Sequence, residues 1–194
     1  SRSARSTGAD FDYTAVLNGF STTMRYGDIP AAMKLSGVKR IFVANTYALP
    51  EEQQGDVSLY MDSSSGMIDT GYAHDRGYTG QGMVVAVVDS GLDVGHEAFA
   101  KAPENPRYDK DAIAAIAAGT KLSCGETNAD GAYYSQKIPF VFDYVDKDTV
   151  VTGGESHGTH VSGTIAADCD KLQGIAPDAQ LMMMKVFSDD GASS

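Results

Sequence analysis

The chain has 194 residues, 42% of them hydrophobic, and a formal net charge of −11. That length holds one domain or two small ones, and no apolar run approaches the ~20 residues of a membrane span. The acidic balance argues against nucleic acid or an anionic membrane surface as partner.

The charge is uneven. Residues 1–50 carry six Lys+Arg and three Asp+Glu, a balance of +3, and residues 51–194 carry −14. The positive segment could complement the acidic remainder, or be no more than scatter. Ser1 is not an initiator methionine, so the start is expected to be a processed end or a boundary within a longer chain. Two cysteines, Cys124 and Cys169, are too few for a disulfide scaffold and fit no metal-site spacing. Both are expected as unpaired thiols.

Residues 1–9 are rich in Ser, Arg and Gly and read as a disordered lead. Phe11 to Leu17 alternates as a strand, Asn18-Gly19 signals a hairpin turn, and Phe20 to Met24 is the expected return strand. Asp28 could cap a helix with Pro30 early in it, running to Ser36 and ended by Gly37. Val38 to Ala44 is expected as a further strand. Residues 10–50 thus form a small α+β unit. Residues 51–66 are mostly polar and read as a linker.

Gly80 and Gly82 precede a strand, whereas a phosphate loop follows one, so they are read as a turn. His74 and His96 lack any partner pattern and are expected at the surface. Met83 to Val88 is a continuous apolar run, expected as a parallel strand buried on both faces. It ends in Asp89, and in open α/β sheets functional groups collect at such carboxyl ends. Asp109 to Ala118, ended by Gly119, reads as a helix, and Ser123 to Gly131 as a loop. Ile138 to Asp148 reads as a strand with an acidic end. Its Asp143, Asp146 and Asp148 could bind calcium through oxygen ligands, but are expected to be a solvated acidic loop.

From His157 runs a helix built of Gly158, Thr159, Val161, Ser162, Gly163, Ile165, Ala166 and Ala167. Each interior glycine costs roughly 1 kcal/mol against alanine, a cost tolerable where a neighbouring backbone must approach closely. His160, three residues on, is expected to be a buried imidazole tying the helix down. After the Gly174–Pro177 turn, Leu181 to Phe187 is another buried strand, with Met182, Met183 and Met184 as core filling.

Taken singly, Asp89 could be a turn residue and His157 a core histidine. Together, an aspartate ending a buried strand and a histidine opening a slim helix, in that order, make two-thirds of a nucleophile-activating triad. A metal site of Glu155, His157 and His160 is the weaker alternative, because His-x-x-His lacks the glutamate-bearing zinc-helix pattern.

The stretches Val85–Asp93 and His157–Ala167 resemble the aspartate and histidine signatures of subtilisin-like serine proteases, the subtilases or peptidase S8 family. The separation of 68 positions from Asp89 to His157 is long for a compact subtilase, and Lys137–Asp148 resembles a segment of the large cell-envelope members, such as the lactocepins and the streptococcal complement-cleaving peptidases. The resemblance implies an α/β fold: a partial parallel-sheet subtilisin-like catalytic domain at residues 67–194. Residues 10–50 would be part of an inhibitory α+β propeptide, through Asn18–Ser21 and Gly37–Val43, with processing within 51–66.

The resemblance further implies that Asp89 orients His157 and that His157 takes the proton from a serine. The family's Gly-Thr-Ser-Met-Ala-like serine motif does not occur in these 194 residues and is expected downstream. The 194-residue chain alone is therefore expected to be inactive. Phe187, Ser188 and Gly191 would border the substrate cleft. Compact subtilases place a calcium-ligating aspartate where this chain has Ala98, so that site is not carried over, and calcium is not assignable to named ligands. No cofactor is required. The implied partners are a protein or peptide substrate and the rest of the catalytic domain, at a secreted or cell-surface location. The rival function is a non-catalytic subtilase-like binding module, distinguished by whether a serine follows downstream.

Overall fold

Three apolar runs separated by long crossovers pair side by side, as parallel strands must when no tight turn can join them. They are β3 (Val84–Asp89), β4 (Phe140–Asp143) and β7 (Gln180–Lys185), and the sheet order is β3-β7-β4. The computed structural model describes residues 8–13, 17–48, 65–119, 131–154 and 156–189. The strand last in sequence is thus central, with Val84 to Asp89 registered on Gln180 to Lys185, and Phe140 to Asp143 on Met182 to Lys185. All three run the same way, so their carboxyl ends lie along one rim.

One sheet face carries the core. Val87, Val141, Leu181 and Met183 pack with Ala166 and Ala167 at the end of the long helix Ser156–Ala166. The expectation of full burial for Met83 to Val88 fails at Met83, just ahead of β3, and on the other face of the strand, where Ala86 and Val88 are exposed. Alternate side chains of a strand point to opposite faces, and cover on the second face is uneven: Phe142 of β4 is buried there while Val88 of β3 is not. Met183 fills the core as expected, while Met182 and Met184 are only half-buried.

The N-terminal segment is simpler than expected. β1 (Phe11–Tyr13) pairs antiparallel with β2 (Gly19–Ser21), and Tyr13 faces Gly19. Asn18-Gly19 is therefore not a two-residue turn, because Gly19 already stands in the return strand. The helix expected over 28–36 is a 3₁₀ turn, Tyr26–Asp28, followed by the four-residue α1 (Ile29–Ala32). Gly37, at φ +94°, reverses the chain after it. The strand expected at Val38–Ala44 does not form; Phe42 is 80% exposed, with no paired strand among the described residues. A β-rich run without a partner cannot satisfy its backbone groups as a strand.

The remaining elements are α2 (Thr70–His74), a 3₁₀ turn at Glu97–Phe99, α3 (Lys110–Gly119), α4 (Ser156–Ala166), and a small hairpin of β5 (Asp168–Cys169) and β6 (Leu172–Gln173). Asp109 Oδ1 accepts from Ala112 N at 2.8 Å, the cap that starts α3 where the sequence places it. Residues 65–67, inside and just past the expected linker, are helical. Cys124 and most of the Ser123–Gly131 loop lie outside the described residues, as do residues 1–7 and 51–64. Cys169 is half-buried and makes no disulfide among the described residues.

Two buried polar side chains stitch the sheet to its surroundings. Gln180 accepts from Arg107 N and Tyr108 N and donates to Tyr108 O and Gln136 O. Lys137 is buried and donates to the Pro177 carbonyl, its charge opposed by burial so that its amine sits at about 8. The unfolded chain, with lysine at 10.5, binds more protons between those values. Stability should therefore rise as pH climbs from about 8 towards ~10.5. Lys137→Met should flatten that rise in urea melts collected across the same range, and an unchanged slope would refute the account.

Candidate active site

Asp89 closes β3 at the rim, and the chain bends at Ser90. Ser90 N donates to Asp89 Oδ1 at 2.7 Å, fixing the carboxylate's orientation. His157 Nδ1 lies 2.8 Å from the same oxygen, inside the 2.6–3.2 Å window expected of an acid that orients a base. An ionised carboxylate can only accept, so Nδ1 is the donor, and Nε2 of a neutral ring is left as an acceptor. The histidine side chain is 40% exposed and the aspartate 13%, so the imidazole stands at the surface over a largely covered acid.

The helix that carries His157 is held by contacts from the Asp89 strand. Gly158 N donates to Ser90 Oγ at 3.1 Å, so a buried serine from another element satisfies one orphan donor of the helix start. Asp93 N donates to Thr159 Oγ1 at 2.8 Å, and Leu92 N to Val151 O at 2.9 Å. Gly158 shows why the helix must be slim: a Cβ there would fall 2.1 Å from Gly91 O. Gly163 has ordinary room, 3.7 Å to Leu172, so only one of the two glycines answers to a backbone approach. Gly158→Ala should push the first turn of α4 off β3. The expected loss is more than ~2 kcal/mol, in the range of severe steric or cavity effects; thermal melts giving less than ~0.5 kcal/mol would refute it.

Several expected residues stand elsewhere than anticipated. His160 is exposed and not a buried tie. Three residues of helix turn through about 300°, which carries it past the rim that His157 faces. It lines a groove of about 580 Å³ with Asp93, His96, Phe99, Thr159 and Leu172. His74 is half-buried, its Nε2 3.0 Å from Ile175 O, rather than free at the surface. His96 is exposed, as expected, and its Nδ1 accepts from Ala98 N, capping the 3₁₀ turn.

Asp143 is the largest correction. It is buried, not solvated, and Oδ2 lies 2.6 Å from Lys185 Nζ. Its Oδ1 accepts from Val145 N and Asp146 N. Asp146 and Asp148 are exposed. Among the described residues no group of three or more His, Cys, Asp or Glu converges as a metal centre. Glu155 and Gly191 lie outside the described residues. Phe187 and Ser188 are half-buried just past β7, where Val186 N donates to Asp89 O at 3.0 Å.

Sequence reasoning missed Ser90, Thr159 and Lys185. The one signal available was Lys185 itself, a charged residue inside the apolar run Leu181–Phe187. Among the described residues no helix is long and apolar enough to cross a membrane.

A model of the subtilase family, Peptidase_S8, matches residues 80–194. The chain belongs to the subtilase family. Its subtilase relatives include the PII-type proteinase of Lactococcus lactis subsp. cremoris, 31% identical over 191 residues. That alignment covers 94% of this chain and 9% of the relative, so the likeness reaches well ahead of residue 80. The minor extracellular protease Vpr of Bacillus subtilis is 29% identical over 199 residues, 94% of this chain and 20% of that protein. A C5a peptidase of Streptococcus pyogenes serotype M3 is 32% identical over 116 residues, 55% of this chain and 9% of the peptidase. The chain thus spans only about a tenth to a fifth of the length of these subtilases.

Proposed function

We propose that the protein is a serine endopeptidase of extracellular proteins, secreted or held at the cell surface, working through an Asp–His–Ser triad. The observation that carries this reading is the 2.8 Å Asp89–His157 hydrogen bond at the carboxyl rim of the parallel sheet. Asp89 holds His157 in the tautomer with the proton on Nδ1 and stabilises the imidazolium that forms. Nε2 takes the proton of a serine hydroxyl as its oxygen bonds to the scissile carbonyl carbon. The same proton passes to the departing amine as the C–N bond breaks, and water then releases the acyl group by the reverse use of His157. The serine and an asparagine donor to the oxyanion come from sequence after residue 194. No redox or nucleotide cofactor takes part, and calcium has no assigned ligands here.

Phe187, Ser188 and Gly191 border the cleft, where an extended peptide adds as a strand and so tolerates varied side chains. The bond from Val186 to Asp89 supports this, since it sets the following residues beside the acid. Residues 10–50 act as the latter part of an inhibitory propeptide and 51–66 carry the processing region. Lys147, after β4, lies 5.7 Å over the ring of Phe11 in β1, a contact between the N-terminal hairpin and the body.

The test is to treat the full-length protein with a fluorophosphonate probe and, separately, with an unfolded protein substrate. One labelled serine outside these 194 residues, with peptide release, is expected. Release of peptides with no labelled serine would reject the triad, and neither event would favour a binding module. The 194 residues alone should release nothing; turnover by them would overturn the assignment.

A further inference from the structure

The pair Asp89–His157 joins two elements, and the bonds of Ser90 with Gly158 and of Asp93 with Thr159 hold the start of α4 from the β3 side. A buried cation stands beside Asp89 on the neighbouring strand. Lys185 is the register partner of Asp89 across β3–β7 and of Asp143 across β7–β4. Register partners project to the same sheet face, so Asp89, Lys185 and Asp143 form a row along the rim.

Lys185 is 1% exposed, with Nζ 2.6 Å from Asp143 Oδ2 and 3.1 Å from Asp189 Oδ1. Burial opposes its charge, but the hydrogen bonds to the two carboxylates outweigh this and hold the ammonium above the ordinary lysine value. Asp143 anchors the Lys185 end, since its other oxygen is occupied by Val145 N and Asp146 N. Asp189 lies in the loop after β7; its carboxylate reaches across to Gly153 and its backbone lies against Gly154.

That contact leaves no slack. A Cβ on Gly153 would sit 2.6 Å from Asp189 Oδ1, and one on Gly154 would sit 3.1 Å from Asp189 O. Both glycines have positive φ, +103° and +60°, so the chain is bent there as it passes over Asp189. Helix α4 begins two residues later, and His157 is its second residue.

We propose that Lys185 and Asp189 form a positioning strut for His157, Lys185 fixing the Asp189 carboxylate against which Gly153, in the lead-in to α4, is seated. Neither residue touches the reacting atoms; both act through the placement of the histidine. The proposal rests on the proteolytic reading for its effect on rate, but not for its effect on geometry.

The experiment uses the full-length protein with Asp189→Ala, Gly153→Ala and the double variant. Asp189 is 66% exposed, so its removal leaves the protein folded, and Asp189→Asn, which keeps the volume, serves as a second variant. Each single change should lower kcat about tenfold and leave KM within about twofold, the signature of an interaction spent on the transition state. The double variant should lose no more than the worse single one, because both break one contact. Crystal structures of the variants should show the Nδ1–Oδ1 separation of His157 and Asp89 opened beyond about 3.5 Å, outside hydrogen-bond range.

Wild-type kcat with an unchanged His157 in Asp189→Ala and Asp189→Asn would overturn the strut, as would single-variant losses that multiply in the double variant. Should the unaltered protein cleave no peptide at all, the proteolytic reading falls. The strut is then judged on the crystallographic separation alone, intact geometry in the variants refuting it.

Discussion

His157→Ala is expected to lower peptide hydrolysis by the full-length protein by about 10⁶ in kcat, the magnitude known for the histidine of the subtilisin triad. The reason lies in the geometry around Nε2. With Nδ1 committed to Asp89 at 2.8 Å, Nε2 is the ring's one nitrogen left to take the proton of a serine hydroxyl. Asp89→Asn should cost less, about 10⁴, because the ring remains but the amide can turn its NH₂ towards Nδ1 and select the wrong tautomer. Both variants should fold, since His157 is partly exposed and Asn matches Asp in size. Initial rates on an unfolded substrate decide the matter. A His157→Ala protein within tenfold of the unaltered one would remove His157 from the mechanism, and with it the triad.

Asp143→Ala should cost about 3–5 kcal/mol of folding stability, the penalty for leaving one charge of a buried pair without its partner. Lys185 is covered on all sides, and its remaining partner Asp189 is mostly in water, where an ion pair is weak. The change also frees the N–H groups of Val145 and Asp146 that Asp143 Oδ1 accepts. Asp143→Ala combined with Lys185→Met should recover much of the loss, since an apolar pair needs no desolvated charge. Urea titration reads both variants; an Asp143→Ala loss under about 1 kcal/mol would show that the ammonium finds other solvation.

The two buried lysines also pull in opposite directions at alkaline pH. Lys185 is held above the ordinary value, so its contribution is whole below 10.5 and is lost as pH rises through the folded value. Lys137, lowered to about 8, destabilises while charged and ceases to do so over the range in which Lys185 still contributes.

The amino-acid order alone determined the elements whose driving force is local. Val84–Val88 and Leu181–Met184 are apolar runs of strand length, each with one face in the core. Asp109 caps α3 through its own third neighbour, and the small residues after His157 predict a helix that admits close approach. Asp89 and His157 were legible because an acid ending such a strand and a base opening such a helix are unusual in pattern and order. Tertiary structure decided what depends on partners far along the chain. The central place of β7 follows from pairings across 42 and 96 residues, which no local pattern encodes. Val38–Ala44 has β-forming residues but no strand beside it among the described residues, and is irregular. Asp143 reads as one more acid in an acidic loop until Lys185, 42 residues on, meets it in the interior. His160 reads as buried until the helix's rotation about its axis is set, and contacts at Gly158 and Ser90 set that. Burial and charge pairing are properties of the assembled surface, and a residue's neighbours in sequence carry little information about its neighbours in space.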